Sequence, residues 1–213
     1  MAARGRFITF EGGEGAGKST QIRRLAEALR ASGIACLETR EPGGAPGAEE
    51  IRTLLVTGAT HRWEPMSEAL LHFAARREHL ARTVWPALER GLWVLSDRFA
   101  DSTMAYQGRA QGVGEDAVRT LYRVAVGEFF PDLTLVLDVP PAVGLKRADE
   151  RRHDETRYER MAASFHENLR AAFLDIAKRD PARCAVIDGT RELDAVAAAV
   201  RAEVRTRLGA KLP

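Results

Sequence analysis

Short apolar runs alternate along this chain with longer segments in which apolar residues recur at the spacing of a helix. Helical spacing is clear for Leu25 with Leu29, and again for Leu121, Val124 and Ala125. A third such segment contains Leu70, Leu71, Ala74 and Ala75. The short runs have the length of strands and cover residues 7–10, 34–37, 92–95, 133–139 and 184–187. Strands that alternate with helices form βαβ units, so the pattern predicts an α/β fold with a five-stranded parallel sheet covered by helices on both faces.

Polar residues follow each of the five predicted strands. These polar segments are residues 11–13, 39–44, 96–98, Asp138 and residues 188–190. In open α/β sheets, ligands bind outside the carboxyl ends of the strands. We therefore expect the five strand ends to line one cleft.

Length and composition limit the class of protein. At 213 residues the chain has the size of one domain, so we expect residues 1–213 to form a single domain. No stretch approaches the roughly 18 consecutive apolar residues of a membrane helix, and the run at residues 7–10 is too short for the core of a signal peptide. We therefore expect a cytoplasmic protein. Cys36 and Cys184 lack metal-ligand spacing, which favours buried reduced thiols.

The basic residues are nearly all arginine, and the formal net charge is only +2. The few lysines are Lys18, Lys146, Lys178 and Lys211. A coding bias towards arginine explains this enrichment as well as a need for bidentate phosphate contacts does, so position must decide for each residue. The small net charge argues against a nucleic-acid-binding domain.

Residues 12–19 match the phosphate-loop pattern G-x-x-x-x-G-K-[ST], and they lie between a predicted strand and a predicted helix. Glycines let the backbone wrap a phosphate, and the helix that follows has an N-terminus that favours anions. Lys18 is expected to neutralise β- and γ-phosphate oxygens, and the Ser19 hydroxyl is expected to bind Mg²⁺. The nucleotide-binding residues predicted from this motif are Gly12, Gly13, Glu14, Gly15, Ala16, Gly17, Lys18, Ser19 and Thr20.

A phosphate loop alone does not name a reaction, because kinases, motor ATPases and GTP switches share it. The chain has no Asn/Thr-Lys-x-Asp guanine motif and no apolar strand that ends in Asp-Glu. A small-molecule kinase is therefore favoured. Asp97 and Arg98 directly follow a predicted strand, which places a carboxylate near Mg²⁺ and a guanidinium at the join between donor and acceptor phosphates. The alternative for this pair is a surface ion pair.

Several segments together carry a resemblance to a known family. They are residues 7–20, 39–44, 49–52, 73–80, 97–103, 105–108 and 131–134, which span nearly the whole chain. Tyr-Gln-Gly at 106–108 and Arg-Glu-Pro-Gly-Gly at 40–44 are the most specific. In these motifs the chain resembles bacterial thymidylate kinases. The resemblance implies a P-loop NTPase fold of the nucleoside monophosphate kinase type, and Mg²⁺-dependent transfer of phosphate from ATP to dTMP.

The resemblance also implies roles for residues of an acceptor site. Arg52 and Arg98 would bind the monophosphate of dTMP, where charge-assisted bidentate contacts are strong. Arg76 and Thr103 would hydrogen-bond the thymine ring, and Gln107 would lie beside it.

Further implied roles concern the sugar, the metal and the face of the base. Tyr106 would fill the space below the sugar 2′ position, and Glu14 would approach the 3′-hydroxyl group. Glu41 and Asp97 would place Mg²⁺ and its waters. The family often has an aromatic residue four positions before the base-reading arginine, whereas this chain has His72 followed by Phe73. We assign Phe73 to stacking on the base, with core packing as its alternative and His72 as the other candidate.

Phosphoryl transfer requires positive charge at the γ-phosphate. The phosphate loop of this chain carries no arginine, so the resemblance indicates a mobile lid at about residues 147–160. Its candidate catalytic residues are Arg151, Arg152 and Arg157, and the choice among them stays open. Arg147 would flank the adenine, and the turn at residues 188–190 would pass along the edge of the base.

The main hypothesis is therefore an ATP-dependent dTMP kinase. Its alternatives are a kinase of another nucleoside monophosphate or of a deoxynucleoside, and a nucleotide-driven regulator. Arg52 and Arg98 argue against a nucleoside acceptor, which has no phosphate for them. The resemblance also implies a homodimer, which we expect to form through the helices around residues 73–88 and 121–129.

Overall fold

The computed structural model describes residues 4–150 and 157–212. Within these residues, five strands form one sheet in the order β2-β3-β1-β4-β5, and every pairing is parallel. The strands are β1 (Phe7–Glu11), β2 (Cys36–Arg40), β3 (Trp93–Asp97), β4 (Leu133–Asp138) and β5 (Cys184–Asp188). The predicted α/β class and five-stranded parallel sheet are confirmed.

Helices connect the strands and cover the sheet. The α-helices are α1 (Lys18–Ala31), α2 (Pro46–Val56), α3 (Pro65–His79), α4 (Trp85–Glu89), α5 (Ala100–Thr103), α6 (Glu115–Ala125), α7 (Pro141–Asp149), α8 (Ala163–Arg179) and α9 (Leu193–Leu208). Two π-helical segments, Leu80–Val84 and Met104–Ala110, continue α3 and α5. Among the described helices, none is long and apolar enough to cross a membrane.

Side chains of the central strand β1 point alternately to the two faces of the sheet, as the pleat of a strand requires. Ile8 and Phe10 pack in the same buried cluster as residues of α1 and α9. Phe7 belongs to a second cluster, which includes Phe73 of α3 and Leu88 of α4. Because both faces are covered by apolar side chains, the hydrophobic effect holds the helices against both sides of the sheet.

The edge strand β2 begins two residues later than its apolar run predicts. Ile34 does not enter the strand, because its backbone N–H donates to the carbonyl of Leu29 at 2.9 Å and so closes the end of α1. Gly33 makes this turn with φ 74°, a conformation that suits glycine. The chain is then free to enter the sheet at Cys36, opposite Trp93.

The predicted helices around Leu70 and Leu121 are confirmed, but part of their apolar surface is exposed. Val124 on α6 is 81% exposed and Leu70 on α3 is 50% exposed. The spacing therefore predicted the helices correctly, whereas these two side chains do not join the core of the single chain.

The two cysteines are free thiols. Cys184 is buried, as expected, and Cys36 on the edge strand is only partly buried. Burial raises the pKa of the Cys184 thiol to about 12, which keeps it protonated and unreactive near neutral pH.

Candidate active site

The phosphate loop joins the end of β1 at Glu11 to the start of α1 at Lys18. Gly15 has φ 66°, and a Cβ atom there would lie 1.8 Å from the carbonyl oxygen of Gly144 in α7. A larger residue at this position would clash with that backbone, so the loop keeps its shape only with glycine. The loop ends at the N-terminus of α1, where free backbone N–H groups and the helix dipole favour a phosphate.

Lys18 lies over this loop and is buried. Its Nζ donates to the carbonyl oxygen of Gly13 at 2.9 Å and to that of Gly12 at 3.3 Å. Burial lowers the pKa of Lys18 and the guanidinium of Arg98 lowers it further, whereas Asp97 and Glu14 act in the opposite direction. The ammonium group is thus held within residues 12–19, the loop that is predicted to bind the phosphates.

Ser19 and Asp97 form the candidate metal site. The Ser19 hydroxyl donates to Oδ2 of Asp97 at 2.6 Å. Asp97 ends β3, and its register opposite Phe10 of β1 brings it to the edge of the sheet from which the phosphate loop leaves. A hydroxyl and a carboxylate fit Mg²⁺, which takes one or two protein oxygens and completes its shell with phosphate oxygens and water.

A cavity of about 290 Å³ opens beside the phosphate loop. Its walls come from the loop, from the ends of β2 and β3, from α2 and α3, and from the segment after α5. Most of the predicted acceptor residues line it, namely Glu14, Glu41, Arg52, Arg76, Asp97, Arg98, Thr103, Tyr106 and Gln107. Of the five polar segments predicted to share one cleft, those after β2 and β3 line this cavity, whereas residues 11–13, Asp138 and Asp188 do not. The phosphate loop after β1 contributes from Glu14 onward.

Arg98 is held in a backbone conformation that few side chains adopt, with φ 70°. Its guanidinium donates to the carbonyl oxygen of Gly12 at 3.0 Å, to Ser102 at 3.1 Å and to Glu14 at 2.9 Å. The residue after β3 is therefore tied to the phosphate loop, and its charge lies at the boundary between loop and cavity. Of the described conformations, this is the only positive φ at a residue other than glycine.

Glu14 lies at the same boundary and accepts a second hydrogen bond, of 2.6 Å, from the Tyr106 hydroxyl. Burial acts to raise the pKa of Glu14, but Arg98 and Lys18 outweigh it and lower the pKa to about 2. Glu14 is therefore a carboxylate at neutral pH, and it can accept a hydrogen bond from a ligand hydroxyl group.

Arg76 of α3 lies at the far wall of the cavity and is 2% exposed. Its Nε donates to Glu41 at 2.7 Å and its Nη2 donates to Thr103 at 3.1 Å. Its buried Nη1 has no hydrogen-bond partner among the described residues. An unpaired buried donor is costly, so this atom suits a ligand that brings an acceptor oxygen.

Glu41 was predicted to help hold the metal, and its contacts point to another role. Its Oε2 accepts from Arg76 and its Oε1 pairs with Nδ1 of His79 at 2.9 Å. Both carboxylate oxygens are thus engaged at the far wall of the cavity. In this arrangement Glu41 positions Arg76, whereas Ser19 and Asp97 contact each other.

Phe73 was predicted to stack on the base, and the structure places it in the core instead. Its ring contacts Tyr122 edge-on at 6.5 Å, and the Arg76 guanidinium lies 4.8 Å from its centroid. Phe73 does not line the cavity, whereas His72 does. The physical reason is the helical period, because adjacent residues of α3 point in directions about 100° apart.

Arg157 was predicted as a lid arginine, and the structure buries it, with only 2% of the residue exposed. Its guanidinium pairs with Glu68 and also donates to the backbone carbonyls of Leu55, Ala59 and Thr60. With these partners Arg157 anchors the end of α2 against α3. The other two lid candidates, Arg151 and Arg152, lie outside the described residues.

Two further predicted residues have local backbone partners. Arg52 of α2 donates to the carbonyl oxygen of Pro42 at 2.6 Å and lines the cavity. Arg147 of α7 donates to the carbonyl oxygen of Gly189 at 3.0 Å. Arg147 and the turn at residues 188–190, which were predicted to flank the same base, are therefore in contact.

Sequence reasoning assigned no individual role to Glu11, Glu68 or Tyr158, which line the cavity or support residues that line it. Glu68, His72 and Arg76 are spaced by four, which places all three on one face of α3 and is a signal that could have found Glu68. Glu11 accepts from the backbone of Phe99 at 2.8 Å and from Ser102 at 2.6 Å. No local sequence pattern predicts these two contacts, because they join residues far apart in the chain.

A phosphate loop that opens onto an arginine-lined cavity, at the edge of a parallel sheet, is the arrangement of a P-loop phosphotransferase with a small acceptor. Within that class, the family model described as Thymidylate kinase matches residues 10–200. The chain therefore belongs to the thymidylate kinase family.

Individual relatives agree with the family. The chain is 56% identical to the Thymidylate kinase of Caulobacter vibrioides over 205 residues, which cover 96% of this chain and 98% of the relative. It is 51% identical to the Thymidylate kinase of Magnetococcus marinus over 95% of this chain and 97% of the relative. The corresponding protein of Bradyrhizobium diazoefficiens is 49% identical over 97% of this chain and 92% of the relative.

Proposed function

We propose that the protein transfers the γ-phosphoryl group of ATP to dTMP, which yields ADP and dTDP. The observation that carries this proposal is the position of Arg98, which donates both to Gly12 of the phosphate loop and to Glu14 at the mouth of the acceptor cavity. A guanidinium at that boundary can contact both the γ-phosphate of ATP and the phosphate of dTMP, between which the reaction takes place. A nucleoside acceptor has no phosphate, so it would bring no anionic group for the guanidinium groups of Arg98 and Arg52 to bind.

The proposed reaction needs positioning and charge more than proton transfer. A phosphate oxygen of dTMP attacks the γ-phosphorus of ATP, and the bond to the β,γ-bridging oxygen breaks as ADP leaves. The dTMP phosphate is already ionised near neutral pH, so no general base is required. Lys18 and Arg98 stabilise the charge that spreads over the transferred group.

Mg²⁺ enters this proposal through Ser19 and Asp97, whose oxygens lie 2.6 Å apart. When bound, the ion neutralises phosphate charge and orients the β- and γ-phosphates. The chain's own part is to hold the hydroxyl and the carboxylate at the start of α1 and the end of β3.

The remaining acceptor contacts select the sugar and the base. Tyr106 is 5% exposed, and its ring packs edge-on against Tyr158 at 5.3 Å, so it is a rigid wall. We assign it to excluding a ribose 2′-hydroxyl, and Glu14 to the 3′-hydroxyl group. Arg76 and Thr103, with Gln107 beside them, are assigned to the edge of thymine.

For the γ-phosphate we propose Arg151 and Arg152, within a lid at about residues 147–160 of a single domain. Arg147, which contacts Gly189, is assigned to the adenine side. Arg157 is not assigned to the phosphates, because its buried guanidinium already has four partners.

The proposal extends to assembly and place in the cell. We propose a homodimer that buries the exposed apolar side chains of α3 and α6, of which Val124 is 81% exposed and Leu70 is 50% exposed. We further propose that the enzyme works in the cytoplasm, where dTMP and ATP are both available.

A coupled assay of ADP release tests the reaction. With Mg-ATP, we expect strong turnover with dTMP, little with dUMP, UMP, CMP, AMP or thymidine, and almost none without an acceptor. ADP release that is equal for thymidine and dTMP would favour a nucleoside kinase. Slow release that ignores every acceptor would favour a nucleotide-driven regulator and would contradict the proposal.

A further inference from the structure

Glu68 of α3 is fully buried and is the centre of a cluster of polar side chains behind the acceptor cavity. Its Oε1 accepts from Gln107 Nε2 at 2.7 Å, from Gln111 Nε2 at 2.8 Å and from the Tyr158 hydroxyl at 3.0 Å. Its Oε2 pairs with Arg157. Two of these partners, Gln107 and Tyr158, line the cavity, whereas Glu68 itself does not.

An ionised carboxylate accepts hydrogen bonds and donates none. Glu68 is paired with the Arg157 guanidinium, so it is a carboxylate, and every neighbour that bonds to it must turn a donor towards it. The amide nitrogen of Gln107 therefore faces Glu68. The carbonyl oxygen of the same amide is turned away, and it is the group that Gln107 offers to the cavity.

The same reasoning extends through Tyr158 to His72. Since the Tyr158 hydroxyl has one proton and donates it to Glu68, its oxygen must accept the 3.0 Å hydrogen bond from Nε2 of His72. His72 then carries its proton on Nε2 and has a bare Nδ1. Burial, together with the charges of Arg76 and Arg157, lowers the pKa of His72 to about 3, in agreement with a neutral ring.

We propose that Glu68 is a positioning residue that sets the base preference of the acceptor cavity, by fixing the direction of the hydrogen bonds of Gln107, Tyr158 and His72. This inference rests on the proposed function, and it adds a residue that does not itself contact the substrate. Through Glu68, the cavity wall presents a carbonyl oxygen from Gln107 and an imidazole of one defined tautomer.

The direction of these hydrogen bonds matters because pyrimidine bases differ in where they carry hydrogen-bond donors and acceptors. Thymine carries a hydrogen on N3 and an oxygen at position 4, whereas cytosine has a bare N3 and an amino group at position 4. A fixed carbonyl oxygen complements the N3 hydrogen of thymine and repels the N3 lone pair of cytosine. A site built to hydrogen-bond one pattern rejects the other strongly, because a mismatch leaves buried polar groups unpaired.

The test compares Glu68→Gln with wild type, using dTMP and dCMP as acceptors. Glutamine has the same shape but can both donate and accept, so the amide of Gln107 is free to turn over. We expect the ratio of kcat/KM for dTMP to that for dCMP to fall by about tenfold or more, with KM for ATP nearly unchanged. Glu27→Gln is the matched control, since Glu27 is exposed on α1 and the substitution removes the same charge.

A purely structural role predicts a different result. It would lower stability and activity towards both acceptors together and leave their ratio unchanged, and that result would overturn the proposal. Glu68→Asp keeps an acceptor-only carboxylate and is expected to retain the wild-type ratio even at a lower rate. If Glu68→Gln does not fold, the following measurement on the wild type still decides.

Nitrogen NMR of protein labelled with ¹⁵N-histidine provides a readout that is independent of activity. We expect the His72 signals, assigned with His72→Gln, to show a proton on Nε2 and a bare Nδ1 at pH 7. A proton on Nδ1, or a charged ring, would overturn the proposed direction of the hydrogen bonds. If the wild type phosphorylates neither nucleotide, the proposed function fails, and the NMR result still tests the arrangement around Glu68.

Discussion

The guanidinium of Arg98 donates a hydrogen bond of 2.9 Å to the carboxylate of Glu14, and the two residues are 84 positions apart. This contact ties the end of β3 to the phosphate loop. It places one positive and one negative group at the boundary where the acceptor phosphate is proposed to meet ATP.

Replacing Arg98 with lysine should lower kcat/KM for dTMP by about 100-fold or more, because an ammonium cannot reproduce the fork that contacts Gly12, Ser102 and Glu14. Steady-state kinetics with varied dTMP and saturating ATP measure the effect. The control is Arg82→Lys, whose side chain is exposed and pairs only with Glu78 at 3.6 Å in the described residues. Equal losses in the two variants would contradict the role of Arg98.

Removing the ring of Tyr106 should relax the selection against ribose. We expect Tyr106→Ala to reduce the preference for dTMP over its ribose counterpart by about tenfold, because the space below the 2′ position opens. Tyr106→Phe keeps the ring and loses only the hydroxyl that donates to Glu14, so it should keep the preference. Competition between the two acceptors, followed by chromatography of the products, measures both. A relaxed preference in the phenylalanine variant would assign the effect to Glu14 and not to the ring.

Stability should fall as pH rises from about 6.5 to 8 because of Glu11. Burial, and then the charge of Asp101, raises the pKa of Glu11 from 4.5 to about 8. The folded protein therefore holds a proton that the unfolded chain releases, so the contribution to stability is complete below pH 4.5 and is lost as pH approaches 8. Below pH 6.5 the lowered pKa of His72 gives the opposite slope, which is why the window starts there.

Urea unfolding at pH 6.5 and pH 8 measures this dependence. We expect the free energy of unfolding of the wild type to fall by about 2 kcal/mol across the window. Glu11→Gln cannot titrate and should show a smaller change. Parallel curves for the two proteins would show that another group causes the slope.

The three lid candidates should separate into two kinds of residue. Arg157→Met should lower the free energy of unfolding by about 3 kcal/mol or more, because it leaves the buried carboxylate of Glu68 unpaired. Arg151→Ala and Arg152→Ala should leave stability nearly unchanged. At least one of them should lower kcat by about 10³-fold or more if it stabilises the transferred phosphate. Denaturant unfolding and single-turnover kinetics on the same preparations distinguish these outcomes.

A charge at the exposed apolar position of α6 should weaken the proposed dimer. Val124→Glu is expected to shift the protein towards monomer in sedimentation velocity, because a carboxylate in an apolar interface must be desolvated. Leu193→Glu, at another exposed apolar residue (45%) on α9, is the control and should leave the association unchanged. A wild type that sediments as a monomer at every concentration would contradict the dimer.

The fold was predictable in outline because each strand and helix has its own local pattern. The five apolar runs became the five strands of the sheet, and the boundary of β2 differed only because Ile34 closes α1 through its backbone. Exposure was less predictable. The spacing of Val124 indicates a helix, but it does not reveal whether the core or another surface covers that side chain.

The site was predictable where function depends on residues close together in sequence. Lys18 and Ser19 lie in one loop, residues 12–19, whose spacing of glycine, lysine and serine is the phosphate-loop pattern. The roles of Glu41 and Phe73 were not readable in this way. Each role depends on contacts with residues distant in the sequence. Glu41 accepts a hydrogen bond from Arg76, and Phe73 packs in the buried cluster that includes Phe7 and Leu88.

The phosphate loop, the α/β class and the resemblance to thymidylate kinases can be read from the amino-acid sequence, because these depend on short patterns and on their order along the chain. Which of the many arginines pairs with which carboxylate depends on the packing of the folded chain. Arg157 was predicted as a lid residue, but it pairs with Glu68, 89 positions away in the sequence, and anchors the end of α2 against α3. A buried charge must find a partner within hydrogen-bonding distance, and the packing of α2 and α3 selects that partner.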